Sequence, residues 1–425
     1  MPPESSRKVV IVGQGYVGLP LAMRAAEVGY RVVGYDSDAG RVKRLAAGQS
    51  FVEDVPAAVL QPMLASGAYQ PSADADSLTG FDVAVITVPT PLREGVPDLS
   101  YIESATRTLG RYVQPGATVI LESTTYPGTT EELVGPLLEE ASGLAAGGTE
   151  GFCLGYSPER IDPGNAEWTL ITTPKVVSGI DERSLAAVQA FYESVVQTVV
   201  PVGGTRVAEL TKLLENTFRH VNIALVNELA MFAADLGIDV WEAIDAASSK
   251  PFGFMPFRPG PGVGGHCLPI DPSYLSWRVK RTLGQSFRFV ELANDVNDHM
   301  PDYVVRRVVV ALNRRQQAVN GSRVLLLGLA YKRNTGDARE SPAMVVAERL
   351  LALGADVRAA DPHVVEAHVS EQVVRVDCTA DEVAAADLVL LVTDHDGFDY
   401  DMVLREAQAV LDTRHRLSGE RVEHL

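Results

Sequence analysis

Short apolar runs alternate with segments of helical periodicity through the first third of the chain. The run Lys8–Val12 ends at Gly13, and a helical pattern follows over residues 19–28. Continuous apolar runs bounded by glycine are typical of strands buried in a parallel sheet. The same pattern predicts strands at Arg31–Tyr35 and over residues 81–88, 118–122 and 152–156, with a surface loop over 143–151. This alternation indicates a doubly wound α/β domain.

The middle of the chain carries one long amphipathic pattern. Thr205 is predicted to cap a helix over residues 206–236, and Gly237 closes it. The apolar face of this helix consists of Leu210, Leu213, Leu214, Phe218, Val221, Leu225 and Leu229. A helix of this length suits a spine between domains or the interface of a homodimer, so a dimer or a higher even oligomer is expected.

The last third repeats the strand and helix order of the first third. Apolar runs over residues 321–327, 356–360 and 388–392 predict strands, and residues 342–353 predict a helix. The expected fold is therefore α/β, with two Rossmann-like doubly wound domains joined by a long central helix and a small helical domain. The expected domain ranges are 1–204, 205–305 and 306–425.

Composition and charge narrow the range of partners. The chain has 425 residues, of which 46% are hydrophobic and 22% charged, and its formal net charge is −18. This acidity, without a dense Lys/Arg block, argues against nucleic acid or an anionic membrane as a partner. No segment has the pattern of a signal peptide or a membrane span. Cys153, Cys267 and Cys378 are too scattered for a disulfide framework, so a reducing cytoplasm is expected.

A glycine motif follows the first predicted strand. Gly13, Gly15 and Gly18 form G-x-G-x-x-G between strand and helix, the arrangement that lets a pyrophosphate approach the backbone. Asp36 ends the next strand, where a carboxylate binds ribose hydroxyls and repels a 2′-phosphate, so NAD is favoured over NADP. The alternative for Asp36 is a solvated acid at a strand end. Arg41 either touches the adenine side or lies on a helix surface.

Two threonines follow other strands of the same predicted sheet. Thr90 comes after residues 81–88, and Thr124 comes after residues 118–122. Ligands of such sheets bind beyond the carboxyl ends of the strands, so both threonines are expected near a cofactor or substrate. The alternative is ordinary turn and helix-capping chemistry.

A glycine-rich loop over residues 259–271 contains one cysteine, Cys267. Asp271 is the expected N-cap of the next helix, and Pro272 its first residue. Cys267 would then lie just ahead of a helix N-terminus, whose partial positive charge favours a thiolate. The alternative is an inert buried cysteine in a turn.

Cations elsewhere have both functional and ordinary interpretations. Lys212 and Asn216 are four residues apart on the long helix, with Glu209 nearby, and the alternative is a solvated polar face. Lys332 and Arg339 are within reach of a nucleotide or phosphate in the second α/β unit, and the alternative is plain surface charge.

These parts, in this order, resemble the UDP-sugar 6-dehydrogenase family over about residues 8–414. The resemblance rests on GQGYVGLP, VPTP, ESTTYPGT, SPERIDPG, Lys212 with Asn216, GGHCLPID and AYKRNTGDARES. It implies an NAD-dependent enzyme that oxidises the C6 alcohol of a UDP-sugar twice, with no metal site.

The resemblance also assigns roles to residues. Cys267 matches the nucleophile that forms a thiohemiacetal and then a thioester, and Lys212 matches the lysine that stabilises oxyanions. The other positions matched to catalysis are Asn216, Asp271, Glu159 and Thr124. The expected cofactor contacts are Gly13, Gly15, Tyr16, Val17, Gly18, Asp36, Arg41, Thr90, Thr124 and Arg339. The expected substrate contacts are Glu159, Arg160, Lys212, Asn216, Arg258, Gly264 and Lys332.

Substrate choice rests on smaller differences. Members acting on UDP-glucose tend to carry a second acid where Pro163 stands, and His266 precedes the cysteine here. Both features resemble the branch acting on UDP-N-acetylhexosamines, with UDP-N-acetylglucosamine expected first. UDP-N-acetylmannosamine and UDP-glucose stay open. A non-catalytic nucleotide-sugar binder and a hydroxyacid dehydrogenase, which oxidises once, are the alternatives of other classes. NADH stoichiometry separates them.

Overall fold

A computed structural model describes most of the chain. The described residues are 7–52, 54–93, 95–161, 165, 167–265, 268, 270–364 and 370–425. The chain forms two compact units, one up to Glu215 and the other from Asn216 onward. The three-domain division made from the sequence stays a prediction. Within the described ranges, no helix combines the length and the apolar character needed to cross a bilayer.

The first unit is built on a mostly parallel sheet. The strands of this unit are β1 Lys8–Val12, β2 Arg31–Tyr35, β3 Tyr69–Ser72, β4 Val83–Ile86, β5 Leu92–Arg93, β6 Val96–Pro97, β7 Thr118–Leu121, β8 Cys153–Tyr156, β9 Lys175–Gly179 and β10 Val199–Pro201. The sheet order is β10-β9-β8-β7-β4-β1-β2-β3, while β5 and β6 form a separate ribbon. β8 and β9 pair antiparallel, whereas β1 pairs parallel with β2 and with β4. The strand order reverses between β1 and β4, and ligands of doubly wound sheets bind beyond the carboxyl ends of the strands at such a point.

Helices cover both faces of this sheet. They are α1 Gly18–Glu27, α2 Ala39–Ala46, α3 Ala57–Ala65, α4 Ser100–Gly110, α5 Gly135–Ser142 and α6 Glu182–Val195, with a π-turn at Thr130–Val134 and a 3-10 turn at Ala75–Leu78. Alternate residues of β1 pack on opposite faces of the sheet. Val9 and Ile11 pack with α1 and α6, and Val10 and Val12 pack with α4 and α5. This is the doubly wound arrangement that the apolar runs predicted.

The helix α7, Thr205–Leu236, is where the sequence prediction needs correcting. It begins at Thr205 itself, whose hydroxyl donates to a Glu131 carboxylate oxygen at 2.7 Å, so Thr205 is not the N-cap. Gly237 follows the helix with φ 70°, as predicted. Only part of the predicted apolar face of α7 belongs to the core. Its member Leu213 is buried. The exposed members of that face are Leu210, Leu214, Phe218, Leu225 and Leu229.

The second unit contains a second parallel sheet. Its strands are β11 Arg323–Leu327, β12 Asp356–Ala360, β13 Val374–Arg375, β14 Leu388–Leu391, β15 Val410–Asp412 and β16 Val422–His424, in the order β13-β12-β11-β14-β15-β16. Its helices are α8 Val240–Ser248, α9 Asp271–Leu283, α10 Arg288–Arg314, α11 Pro342–Ala352, α12 Ala380–Ala385 and α13 Tyr400–Glu406. α10 and α11 pack on one face of the sheet, and α12 and α13 on the other.

Candidate active site

The glycine loop after β1 leaves room for a ligand beside its backbone. Gly13 has φ 96°, a conformation that glycine adopts without strain. A Cβ on Gly18 would lie 1.9 Å from the Gly13 carbonyl oxygen, whereas a Cβ on Gly15 would meet nothing within 4 Å. Gly18 therefore lets α1 pack against the loop, and Gly15 opens the loop to a pyrophosphate.

A buried carboxylate stands beside that loop. Asp36 is 5% exposed at the end of β2. Its carboxylate accepts hydrogen bonds from the Gln14 N–H at 2.8 Å, the Asp38 N–H at 3.0 Å and the Arg41 guanidinium at 2.9 Å. Asp36 is therefore not a solvated acid at a strand end. The Arg41 guanidinium forms an ion pair with its carboxylate. An open glycine loop with an anchored carboxylate at its rim fits NAD and disfavours a 2′-phosphate. Tyr16 is half-exposed next to the loop, and Val17 precedes α1.

The strand-end threonines lie at the same edge of the sheet. Thr90 is buried after β4, and Thr124 is half-buried after β7. The loop that follows Thr124 is fixed by Glu209, whose carboxylate accepts from the Gly128 N–H at 2.5 Å and the Thr130 N–H at 2.9 Å. Burial raises the pKa of Glu209 to about 7, although these donors oppose the shift. Glu209 thus belongs to the interior rather than to a solvated helix face.

A buried charge cluster, which sequence reasoning missed, lies behind the strand ends. The Lys175 ammonium donates to Glu122 and, at 3.1 Å, to Glu159, and the Tyr192 hydroxyl donates to Glu122 at 2.5 Å. Burial raises the pKa of Glu122 to about 8, and the neighbouring Glu159 charge adds to the shift. Burial also acts to raise the pKa of Glu159, but Lys175, a hydrogen bond with Glu122 and the Ile161 N–H hold it at about 2. Burial and the Glu159 charge thus favour the protonated form of Glu122, whereas Lys175 favours the ionised form of Glu159.

Lys212 joins this cluster from α7. Its ammonium donates to the backbone carbonyl of Glu159 at 2.5 Å, and the residue is 8% exposed. The solvated alternative for Lys212 is therefore wrong. Arg160 is held by the Glu215 carboxylate at 2.7 Å and by the Pro174 carbonyl at 2.6 Å. The first unit thus brings together three residues that the sequence singled out: Glu159, Arg160 and Lys212.

In the second unit, Asn216 is bonded to Asp271. The Asn216 amide donates to the Asp271 carboxylate at 2.5 Å, and Asp271 is 3% exposed. The prediction that Asp271 is an N-cap is wrong, because α9 begins at Asp271 after Ile270, and the carboxylate faces α7. Cys267 and His266 lie outside the described residues, so their roles stay predictions.

The glycine-rich loop packs on the segment that follows β11. A Cβ on Gly264 would lie 2.6 Å from the Glu340 carbonyl oxygen, and one on Gly265 would lie 2.7 Å from the Tyr331 ring. The Gly265 N–H also donates to the Arg339 carbonyl at 3.1 Å. Only glycine fits at these positions, so the loop runs tightly along this surface.

The remaining candidate residues of this unit have other contacts. The Arg339 guanidinium pairs with Asp337 at 2.6 Å, and Arg258 pairs with Asp245. Lys332 is half-buried in the loop after β11. A nucleotide role for these three cations stays a prediction.

The second sheet repeats the local geometry of the first. The Leu329 and Ala330 N–H groups donate to the Asp361 carboxylate at 2.6 and 3.0 Å, as Gln14 does to Asp36. The buried His395 ring nitrogen lies 3.0 Å from the same carboxylate. Burial acts to raise the pKa of Asp361, but His395 and the backbone donors together lower it well below the usual range. The end of β12 thus holds a carboxylate bonded to the backbone of the loop after β11, as the end of β2 does in the first sheet.

Within the described residues, no group of three or more potential metal ligands is clustered. The glycine loop with its buried carboxylate, on a doubly wound sheet, is typical of a dinucleotide-binding α/β protein, and the second unit contains a parallel sheet of the same kind. Models of the UDP-glucose/GDP-mannose dehydrogenase family match it along the chain: the NAD binding domain at residues 7–196, the central domain at 206–299 and the UDP binding domain at 325–419. The chain belongs to this family, and it is an NAD-dependent oxidoreductase of the UDP-sugar dehydrogenase type.

Relatives with different substrates resemble the chain to a similar degree. It is 36% identical to UDP-N-acetyl-D-mannosamine dehydrogenase of Pyrococcus horikoshii, over 92% of this chain and 90% of that protein. It is 39% identical to UDP-N-acetyl-D-glucosamine 6-dehydrogenase of Pseudomonas aeruginosa, over 84% of this chain and 83% of that protein. The solved structure of the UDP-D-ManNAc dehydrogenase from Pyrococcus horikoshii matches with a TM-score of 0.89, 33% identity and 98% coverage of both chains.

Proposed function

We propose that the protein oxidises the C6 alcohol of a UDP-N-acetylhexosamine to the carboxylate in two steps. UDP-N-acetylglucosamine is the first candidate, followed by UDP-N-acetylmannosamine and UDP-glucose. The observation that carries the proposal is the pair of bonded groups on α7: Lys212 at the Glu159 carbonyl and, one turn later, Asn216 at Asp271. Both groups belong to the set that the resemblance assigns to oxyanion and water chemistry.

The chemistry balances as a four-electron oxidation. When bound, NAD⁺ accepts one hydride per molecule, so R–CH₂OH, two NAD⁺ and one water give R–COO⁻, two NADH and three H⁺. Between the two oxidations, the Cys267 thiolate adds to the aldehyde carbon, and the aldehyde oxygen takes up a proton. After the second oxidation, water attacks the thioester carbon, the C–S bond breaks, and the thiolate is restored. The covalent adduct keeps the aldehyde from escaping.

The polar residues have distinct roles in this scheme. Lys212 supplies a fixed positive charge to the developing oxyanion, and its low exposure strengthens that interaction. Asn216 and Asp271 hold the attacking water. Thr124 and Glu159 help to orient water in the hydrolytic step, with the Glu159 carboxylate paired to Lys175 at 3.1 Å. Arg160, Arg258, Gly264 and Lys332 contact the UDP-sugar, and Arg339 contacts the cofactor.

The choice of sugar is tested by comparing kcat/KM for the three UDP-sugars with saturating NAD⁺. An advantage of at least about tenfold for one N-acetylated sugar, with the uronic acid identified by mass spectrometry, supports the proposal. A preference for UDP-glucose would overturn the assignment to the acetylated branch while leaving the reaction class intact.

The working assembly is proposed to be a homodimer or a higher even oligomer in the cytoplasm. Large apolar side chains are exposed along α7 from its middle to its end, at spacings of three, four and seven residues: Phe218, Leu225, Leu229, Phe232 and Leu236. A continuous stripe of this kind is a common surface for self-association. Sedimentation of the wild type and of Leu229→Asp tests this, with dissociation expected in the variant. A wild type that is already monomeric would contradict it.

A further inference from the structure

Both ends of the cysteine-bearing loop are bonded to one face of α7. The Gly260 N–H donates to the Asn227 side-chain oxygen at 2.9 Å, and the Asn216 amide donates to Asp271 at 2.5 Å. Asn216 and Asn227 are eleven residues apart on a continuous helix, so they lie on the same face about 16 Å apart. In sequence, Cys267 falls between Gly260 and Asp271.

The orientation of the Asn227 amide is fixed by a chain of buried polar groups. Its nitrogen donates to the Asn297 oxygen at 2.9 Å, and the Asn297 nitrogen lies 3.4 Å from Nδ1 of His220. Nε2 of His220 lies 2.8 Å from the Asn294 oxygen. Burial lowers the pKa of His220, which suits a neutral ring that accepts at Nδ1 and donates at Nε2. Each group therefore presents its donor to the next, and the Asn227 oxygen is left facing Gly260.

These hydrogen-bonded side chains lie in the interior rather than on the surface. Asn227 is 0% exposed, and Asn297 and His220 are each 2% exposed. A buried amide whose two ends are both bonded has one favoured orientation, because reversing it would place like groups together at both contacts.

The other side of the loop cannot absorb a shift. Gly262 is packed so that a Cβ would lie 3.2 Å from the Asn297 carbonyl oxygen, and Gly264 and Gly265 are pressed against the segment around Tyr331. Residues 260–265 are therefore closely packed, with Asn227 bonded to Gly260 at one end and the segment around Tyr331 against Gly265 at the other.

We propose that Asn227, oriented by Asn297 and His220, is a positioning residue that sets the path of loop residues 260–265, which come just before Cys267 in the sequence. This inference rests on the proposed function, in which Cys267 reacts with the aldehyde. The competing explanation is that the hydrogen-bonded side chains Asn227, Asn297 and His220 only link α7 to α10 and contribute to stability.

The test uses three variants of the full-length protein. Asn227→Ala removes the acceptor for Gly260, and Asn227→Asp keeps an acceptor oxygen there. Asn222→Ala is the matched control on the same helix, because within the described residues the Asn222 amide donates to the Phe218 carbonyl of its own helix. For each variant, the rate of Cys267 alkylation by iodoacetamide is followed by peptide mass spectrometry across pH, with Cys153 and Cys378 as internal references. kcat, KM, the Kd for NAD⁺ and the melting temperature are measured alongside.

Asn227→Ala is expected to change the Cys267 alkylation rate at least about threefold and to lower kcat for acid formation at least about tenfold. The Kd for NAD⁺ is expected to stay within about twofold of the wild-type value, because the substitution does not remove binding interactions that the ground state and the transition state share. Asn227→Asp keeps the acceptor for Gly260 but sets a second oxygen against the Asn297 oxygen, so it is expected to recover both properties only in part. Asn222→Ala is expected to match the wild type.

Two results would overturn the inference. One is wild-type alkylation and kcat in Asn227→Ala. The other is a parallel loss of melting temperature and NAD⁺ affinity with an unchanged alkylation profile, which would mark a purely structural role. Failure of the proposed function would give a different result. Wild-type protein that is already alkylated at Cys267 would then still oxidise the sugar to the acid. The alkylation rates are measured without turnover, so they report on the loop in either case.

Discussion

Replacing Glu122 by glutamine tests the buried charge cluster of the first unit. Glu122 is 1% exposed, bonded to Lys175 and Tyr192, and its pKa is raised to about 8. In the unfolded chain the pKa of the same carboxyl is near its ordinary value of 4.5. Between these two values the folded protein holds one proton that the unfolded chain has released. This stabilising contribution is fully present below the unfolded pKa and is lost as the pH rises through the folded pKa.

The size of the effect follows from that one proton. The free energy of unfolding of the wild type falls by about 1.4 kcal/mol per pH unit through this group alone. Glu122→Gln imitates the protonated side chain and lacks the slope. For a unit of roughly 200 residues, 1 kcal/mol shifts the melting temperature by about 2–4 °C. The melting temperature of the variant minus that of the wild type is therefore expected to rise by about 3–6 °C per pH unit between pH 5.5 and 7.5.

Differential scanning fluorimetry at several pH values measures this difference. Glu140→Gln is the control, because the Glu140 side chain is 68% exposed and forms only a surface ion pair with Arg107. Its difference from the wild type is expected to be small and flat with pH. A flat difference for Glu122→Gln as well would mean that Glu122 is ionised in the folded protein, and the description of the cluster would be refuted.

Two further changes test the cofactor edge and the loop behind it. Gly18→Ala is expected to lower NAD⁺ affinity at least about 100-fold by isothermal titration calorimetry, because its Cβ would clash with the Gly13 carbonyl, while Gly203→Ala, where a Cβ meets nothing within 4 Å, should bind normally. Glu209→Gln is expected to lower the melting temperature at pH 8, because an amide NH₂ would face the Gly128 N–H and leave a buried donor unpaired, at a cost of about 1–3 kcal/mol.

Contradictory outcomes are specific to each change. Normal NAD⁺ binding by Gly18→Ala would mean that the glycine loop is not the pyrophosphate site. An unchanged melting temperature for Glu209→Gln would mean that the Glu209 carboxylate does not hold the loop after Thr124.

Sequence patterns were most informative where one local rule applies. β1, β2 and β12 begin and end at the predicted residues, because each is a short, largely apolar run that ends at a glycine or an aspartate. The strand expected over residues 81–88 is only Val83–Ile86, since the apolar run continues beyond the paired residues. The family was also identifiable from sequence, because its motifs combine specific residues at fixed spacings.

Contacts between distant residues were not predictable in the same way. Glu122 and Lys175 are 53 positions apart, and Asn227 and Asn297 are 70 apart. Charged and amide side chains lie on the surface of most proteins, so a single sequence favours that interpretation for each of them. Only the fold brings them together as buried, mutually bonded groups. A charged residue at the very end of an apolar strand, as at Glu122, is the one local signal that hinted at the cluster.

NADH released per mole of UDP-sugar, in the wild type and in Cys267→Ser, is the most direct measurement of the proposed four-electron oxidation. The wild type is expected to release two NADH per sugar and to form the uronic acid. Cys267→Ser is expected to stall before the acid is formed, because the covalent step is lost. Two NADH and normal acid formation in the variant would contradict the role of Cys267. One NADH per sugar in the wild type would contradict the four-electron reaction itself.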